Sequence, residues 1–172
     1  SGSFKTQQVM RQGKEKVTGF FLAGELMGVD AIGTETHNDD AVALEDSTVC
    51  VFPFTRFEDF TRQYPDLQRH LHKVISSEIL RSPSAHLHAK PSAEERIAAF
   101  LLWISQRHST CGYSGTSFVL RMKRSDIGDY LGITAETVTR VLTRLARQGL
   151  VVIRNRHVEL KDIEGLKRLA SA

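Results

Sequence analysis

The spacing of apolar positions along the chain changes twice, and each change marks a new kind of element. Over residues 3–9, 17–22, 41–44 and 48–54, β-branched and aromatic side chains gather in short runs separated by Gly13, Gly24, Gly28 and Gly33. This pattern predicts short antiparallel strands of a roll or barrel. Past Pro53 the period becomes helical. Phe57 and Phe60 mark a short amphipathic helix that Tyr64-Pro65 ends, and Leu67, Leu71, Val74, Ile75 and Ile79 form a stripe on the next one. A long helix leaving a small β-domain has little of its own to pack on, so the stripe predicts the seam of a two-stranded coiled coil. Ser82-Pro83-Ser84 should kink or end that helix, and Lys90-Pro91-Ser92 is the better domain boundary.

From Ser92 onward the pattern stays helical and then becomes mixed. Ser92 and Glu95 have the spacing of a capping box, and a helix over 93–107 would bury Ile97, Phe100, Leu101 and Ile104. Residues 121–150 read as a helix-turn-helix. Ile127, Leu131 and Ile133 supply apolar contacts, Gly132 the turn, and Thr134 a cap for a second helix burying Val138, Val141, Leu142 and Leu145. Runs at 118–120, 151–153 and 157–160, with Asn155 in a turn, complete a winged arrangement. The fold class is therefore α+β. It comprises a partial N-terminal β-roll over 1–64, a dimerisation helix and hinge over 65–90, and a winged helix-turn-helix domain over 91–172.

The second helix of the pair carries the clearest chemistry. Glu136, Thr139 and Arg140 stand three and four residues apart and share one face, opposite the apolar one. Arginine can bond guanine bidentately, glutamate can accept from the cytosine amino group, and threonine offers a hydroxyl and a methyl for thymine. The plain alternative is an ordinary solvated helix face. Charge favours the first reading: residues 1–66 hold 6 Lys/Arg against 11 Asp/Glu, whereas 121–156 hold 8 against 3. Lys123, Arg124, Ser125, Thr134, Thr137 and Arg144 are the candidate DNA-backbone contacts, and the acidic half should stay away from DNA.

Other features narrow the class. At 172 residues and 41% hydrophobic content the chain can bury one or two cores. It has no apolar run of membrane-spanning length and no signal peptide, which predicts a cytoplasmic protein with no membrane partner. Cys50 and Cys111 lack CxxC spacing, so the chain alone predicts neither a disulfide framework nor a complete metal site. His70 with His72, and His86 with His88, fall on different helix faces and read as solvated or seam residues rather than metal ligands. Glu94-Glu95 fits a first helical turn better than a catalytic pair. No nucleophile, phosphate loop or triad appears, so no enzyme is expected. The chain enters a strand directly from Ser1-Gly2-Ser3-Phe4 with no initiating methionine, which leads us to expect a longer protein carrying the rest of the roll.

Thr18-Gly19-Phe20, Leu22-Ala23-Gly24-Glu25-Leu26, Asp30-Ala31-Ile32-Gly33, Ala93-Glu94-Glu95-Arg96 and Asp126-Ile127-Gly128-Asp129-Tyr130-Leu131-Gly132 together resemble the CRP/FNR superfamily of bacterial transcription regulators. The resemblance spans essentially the whole chain and is strongest to the FNR branch. It implies an oxygen-sensing homodimer with an oxygen-labile four-iron cluster, binding double-stranded DNA with a two-fold repeat and working with RNA polymerase. Glu136 and Arg140 match that branch's base readers, with Thr139 in place of a serine. Cys50, in Val49-Cys50-Val51-Phe52-Pro53, corresponds to one cluster ligand, the other three belonging outside this chain, so the 172 residues alone should hold no 4Fe-4S cluster. CRP-like pockets place an Arg-Ser pair on a cyclic phosphate. The corresponding Asp39 and Asp40 would repel it, which argues against a cyclic nucleotide even though Glu25 resembles the ribose-binding glutamate. A regulator of the same fold without a cluster, and a helix-turn-helix serving only protein contacts, remain open at this point.

Overall fold

The computed structural model describes residues 1–10, 13–81 and 91–171. Its elements are strands β1 (Phe4–Val9), β2 (Glu15–Phe21) and β3 (Asp40–Ala43), a 3-10 turn at Val29–Ala31, then helices α1 (Phe54–Gln63), α2 (Pro65–Arg81) and α3 (Ala93–Thr110). They continue with β4 (Ser117–Val119), α4 (Arg124–Leu131), α5 (Ala135–Arg147), β5 (Val151–Arg154), β6 (His157–Leu160) and α6 (Ile163–Ala170). Two antiparallel sheets form, in the orders β2-β1-β3 and β4-β6-β5.

Packing gathers these elements into two compact units: Ser1–Gly24 with Asp39–Ser47 and Pro91–Ala172, and Glu25–Asn38 with Thr48–Lys90. The β1–β3 sheet thus folds with the C-terminal helices, an association that chain order does not reveal. In the first unit Phe20 is fully buried, its ring 5.2 Å from Tyr130 and 6.0 Å from Phe100. Polar contacts lock the same junction. The Val17 amide donates to Asp129 at 2.8 Å, Lys5 pairs with Asp126 at 2.9 Å, and Arg121 pairs with Glu45 at 2.9 Å. Arg107 donates to the Phe20 carbonyl at 2.7 Å and lies 4.1 Å from the centroid of the Trp103 ring. Burial pushes its pKa down to about 10, because the interior disfavours the charged form.

Helix α3 is the central pillar. Ser92 caps it by accepting from the Glu95 amide at 3.2 Å, and Ile97, Phe100, Leu101 and Ile104 are buried as expected. The helix runs to Thr110, one turn past the expected end. Helix α6 was not signalled by the apolar pattern. It spans eight residues, too few for a periodicity window, yet Asp162 caps it by accepting from the Gly165 amide at 2.8 Å, and Leu166 is fully buried.

In the second unit α1 ends at Gln63 and Pro65 opens α2, where a proline's missing N–H costs nothing. One expectation fails here. Residues 48–54 do not form a strand: 48–53 are irregular and α1 begins at Phe54. Val49, Val51 and Phe52 are 51%, 86% and 68% exposed, with no neighbouring strand among the described residues to accept their backbone pairing. β-Propensity without such a partner does not fix a strand. The proline interruption at Pro83 and the His86–His88 pair lie outside the described residues.

Candidate nucleic-acid interface

Helices α4 and α5 form the helix-turn-helix, and each turn of the backbone has an identifiable cause. Asp126 accepts from the Lys123 amide at 3.1 Å, satisfying an otherwise unpaired donor at the start of α4. At its end Gly132 takes the left-handed conformation at φ +68, and the Ile133 amide donates to the Gly128 carbonyl at 2.8 Å. Thr134 then caps α5, its hydroxyl accepting from the Thr137 amide at 3.1 Å. The crossing is close: a Cβ at Gly128 would stand 2.6 Å from the Ile133 carbonyl oxygen and 3.2 Å from the Ala135 nitrogen. Only glycine fits there without a backbone shift. The local pattern had pointed to Gly132 alone, because a close approach between segments leaves no periodic trace.

Helix α5 is sharply two-faced. Val138, Val141, Leu142 and Leu145 are buried, while Glu136, Thr139 and Arg140 are all exposed on the other side. Thr139 spends its hydroxyl hydrogen on the Ala135 carbonyl at 3.0 Å, leaving the oxygen lone pairs and the methyl for other contacts. Further along, Arg140, Thr143, Arg144 and Arg147 line an open concavity of about 280 Å³. Thr143 was absent from the sequence-based set, although it lies three residues from Arg140 and helical spacing could have found it.

The expected backbone contacts differ in environment. Lys123, Ser125, Thr134 and Arg144 are exposed, and Thr137 and Arg124 are half-buried. Burial pulls the Arg124 pKa below its ordinary value, though a guanidinium stays charged at neutral pH. Arg144 is ion-paired with Glu94 of α3. The hairpin β5–β6 turns at Asn155, φ +56, and presents exposed Arg154 and Arg156 at its tip.

The candidate sensing and seam residues lie in the other unit. Cys50 is exposed and in no disulfide, within the irregular segment 48–53, and Cys111 is half-buried. Among the described residues no three His, Cys, Asp or Glu side chains gather as a metal site. All five seam positions fall on α2. Leu71 is buried at 8% exposure, Leu67, Val74 and Ile75 are half-buried, and the Ile79 side chain lies outside the described residues. Asp39 accepts from Gln8 at 2.6 Å and also from Thr18. Among the described residues no helix is long and apolar enough to cross a membrane.

Comparison with known proteins agrees with this geometry. Residues 95–169 match the Crp-like helix-turn-helix domain, and residues 1–64 match the cyclic nucleotide-binding domain. The chain is 47% identical over 170 residues to the transcriptional regulatory protein btr of Bordetella pertussis, covering 98% of this chain and 70% of that protein. It belongs to the CRP/FNR family of DNA-binding transcription regulators. Within the family it is also 39% identical to the fumarate and nitrate reduction regulatory protein of Escherichia coli K12, over 99% of this chain and 68% of the relative. The fold matches FixK2 from Bradyrhizobium japonicum with a TM-score of 0.79 at 27% identity, covering 100% of this chain and 85% of that one. Members of the family are regulators rather than enzymes.

Proposed function

We propose that this CRP/FNR regulator is of the FNR type, reading DNA sequence with Glu136, Thr139 and Arg140 and responding to oxygen through an iron-sulfur cluster. The observation that carries the DNA-reading part is the exposed polar ridge of α5 set directly opposite its buried apolar face. A ridge so placed can enter a major groove without disturbing the core that holds it. Lys123, Arg124, Ser125, Thr134, Thr137 and Arg144 position the ridge through phosphate contacts. The chain divides functionally into the roll over 1–64, the seam and hinge over 65–90, and the reader over 91–172. Leu67, Leu71, Val74, Ile75 and Ile79 form the seam of a homodimer, whose symmetry calls for a two-fold repeat in the duplex. RNA polymerase is the further partner, and the protein acts in the cytoplasm.

Identity to relatives named for fumarate and nitrate reduction supports the cluster reading. Cys50 supplies one thiolate and three further ligands come from outside these 172 residues; when bound, the cluster supplies reactivity toward oxygen. The solvent-accessible position of Cys50 is compatible with that role. Cyclic nucleotide is not the effector: Asp39, already an acceptor for Gln8 and Thr18, would set a carboxylate against the phosphate. The test is anaerobic reconstitution of the protein with its N-terminal extension, as wild type and as Cys50→Ser. Iron and sulfide should assemble stably only in the wild type, since a hydroxyl replaces thiolate poorly. Equal cluster content in both would remove Cys50 from the ligand set and favour a regulator without this sensing chemistry.

A further inference from the structure

Helix α5 continues its basic ridge beyond the base-reading residues, and one of its cations is already engaged. Arg140, Arg144 and Arg147 succeed one another at helical spacing along the same concavity. Arg144 forms an ion pair with Glu94, a residue fifty positions away in the first turn of α3. Ser92, two residues before Glu94, caps α3, and Arg96, two residues after it, donates to the Pro91 and Leu131 carbonyls, both at 2.9 Å. These bonds fix the first turn of α3 to the end of α4, so Glu94 meets Arg144 from a rigid base. The Glu94 side chain is 24% exposed and that of Arg144 55%, leaving the guanidinium open to a second anion. Capping and the helix dipole account for an acidic residue in this turn, but not for its reach across to the reader helix.

We propose that Glu94 withholds Arg144 from sequence-independent DNA binding, so that Arg144 meets phosphate only when α5 is seated on a matching site. The inference rests on α5 being the DNA reader. In a loose encounter the phosphates stay hydrated and distant, and a carboxylate in direct contact keeps the guanidinium. When α5 is seated on a matching site, a phosphate reaches contact distance and takes Arg144 over. Breaking the Glu94 pair costs the matched complex the worth of that pair, so Glu94 lowers affinity for both kinds of duplex and confines the Arg144–phosphate bond to the seated complex.

Salt titrations of the whole chain on a random-sequence duplex, and on a duplex selected by the wild type from a randomised pool, test this with three variants. On the random duplex, Glu94→Gln should steepen the salt slope by about 0.9, equivalent to about a threefold greater loss of affinity between about 50 and 200 mM salt. Arg144→Ala should leave the random-duplex slope unchanged and flatten the selected-duplex slope. In the Arg144→Ala background, Glu94→Gln should do nothing. If Glu94→Gln acts equally with and without Arg144, Glu94 merely repels DNA by its charge and the proposal fails. It also fails if Glu94→Gln has no effect, or if Arg144→Ala flattens both slopes. A wild type that selects no duplex from the randomised pool overturns the DNA-reading function itself, a separate outcome.

Discussion

The helix pair α4–α5 and the segment 48–53 both carry residues with proposed roles, yet they meet the demands of folding in opposite ways. In α4–α5, Asp126, Gly132 and Thr134 satisfy the helix ends, and Ile127, Val138 and Leu145 are at most 1% exposed. Segment 48–53 has no regular structure and leaves Val51 86% and Phe52 68% exposed. The helix pair is complete in its local bonds and its core, so the backbone positions of its exposed side chains are set before any DNA arrives. Cys50 stands on exposed backbone without regular secondary structure. Under the proposed roles, base reading rests on a preorganised helix, whereas the proposed cluster ligand stands on exposed, irregular backbone.

Substitutions can break that contrast. Leu145→Ala should have the largest effect, removing a fully buried side chain beneath the reading face and destabilising the first unit by about 2 to 5 kcal/mol in urea unfolding. Gly128→Ala should follow at about 1 to 3 kcal/mol, because the new methyl meets the Ile133 carbonyl and pushes α4 away from α5. DNA affinity should fall with it even where the protein remains folded. Phe52→Ser should change stability by no more than about 0.5 kcal/mol, as expected for an exposed position. A Phe52→Ser loss comparable with that of Leu145→Ala would show the two regions to be equally well packed and undo the comparison.

The same contrast explains what was legible in the sequence. Thr134 and Gly132 act through neighbours a few residues away, and Val138, Val141, Leu142 and Leu145 repeat at the helical period; both signals are local and both hold in the structure. Strands β1 to β3 were visible for the same reason, since alternation and glycine breaks mark them. Residues 48–54 had equally good β-propensity, but a strand is decided by its neighbour. The Gly128 contact, the Lys5–Asp126 pair and the Glu94–Arg144 pair join distant segments and leave no periodic signature. For that reason Glu94 read only as a first-turn acidic residue. Helix α6 was missed through brevity rather than distance.

The proposed reading of base edges by the exposed ridge of α5 turns on Arg140. Binding of wild type and Arg140→Ala is to be compared on a duplex selected by the wild type and on its single-base variants. A bidentate arginine–guanine contact is worth about 1 to 3 kcal/mol against the wrong base. The wild type should show that penalty at one guanine in each half-site, and Arg140→Ala should lose it there while keeping discrimination elsewhere. Equal weakening of Arg140→Ala on the matched duplex and on every variant would contradict the account and make Arg140 a phosphate contact.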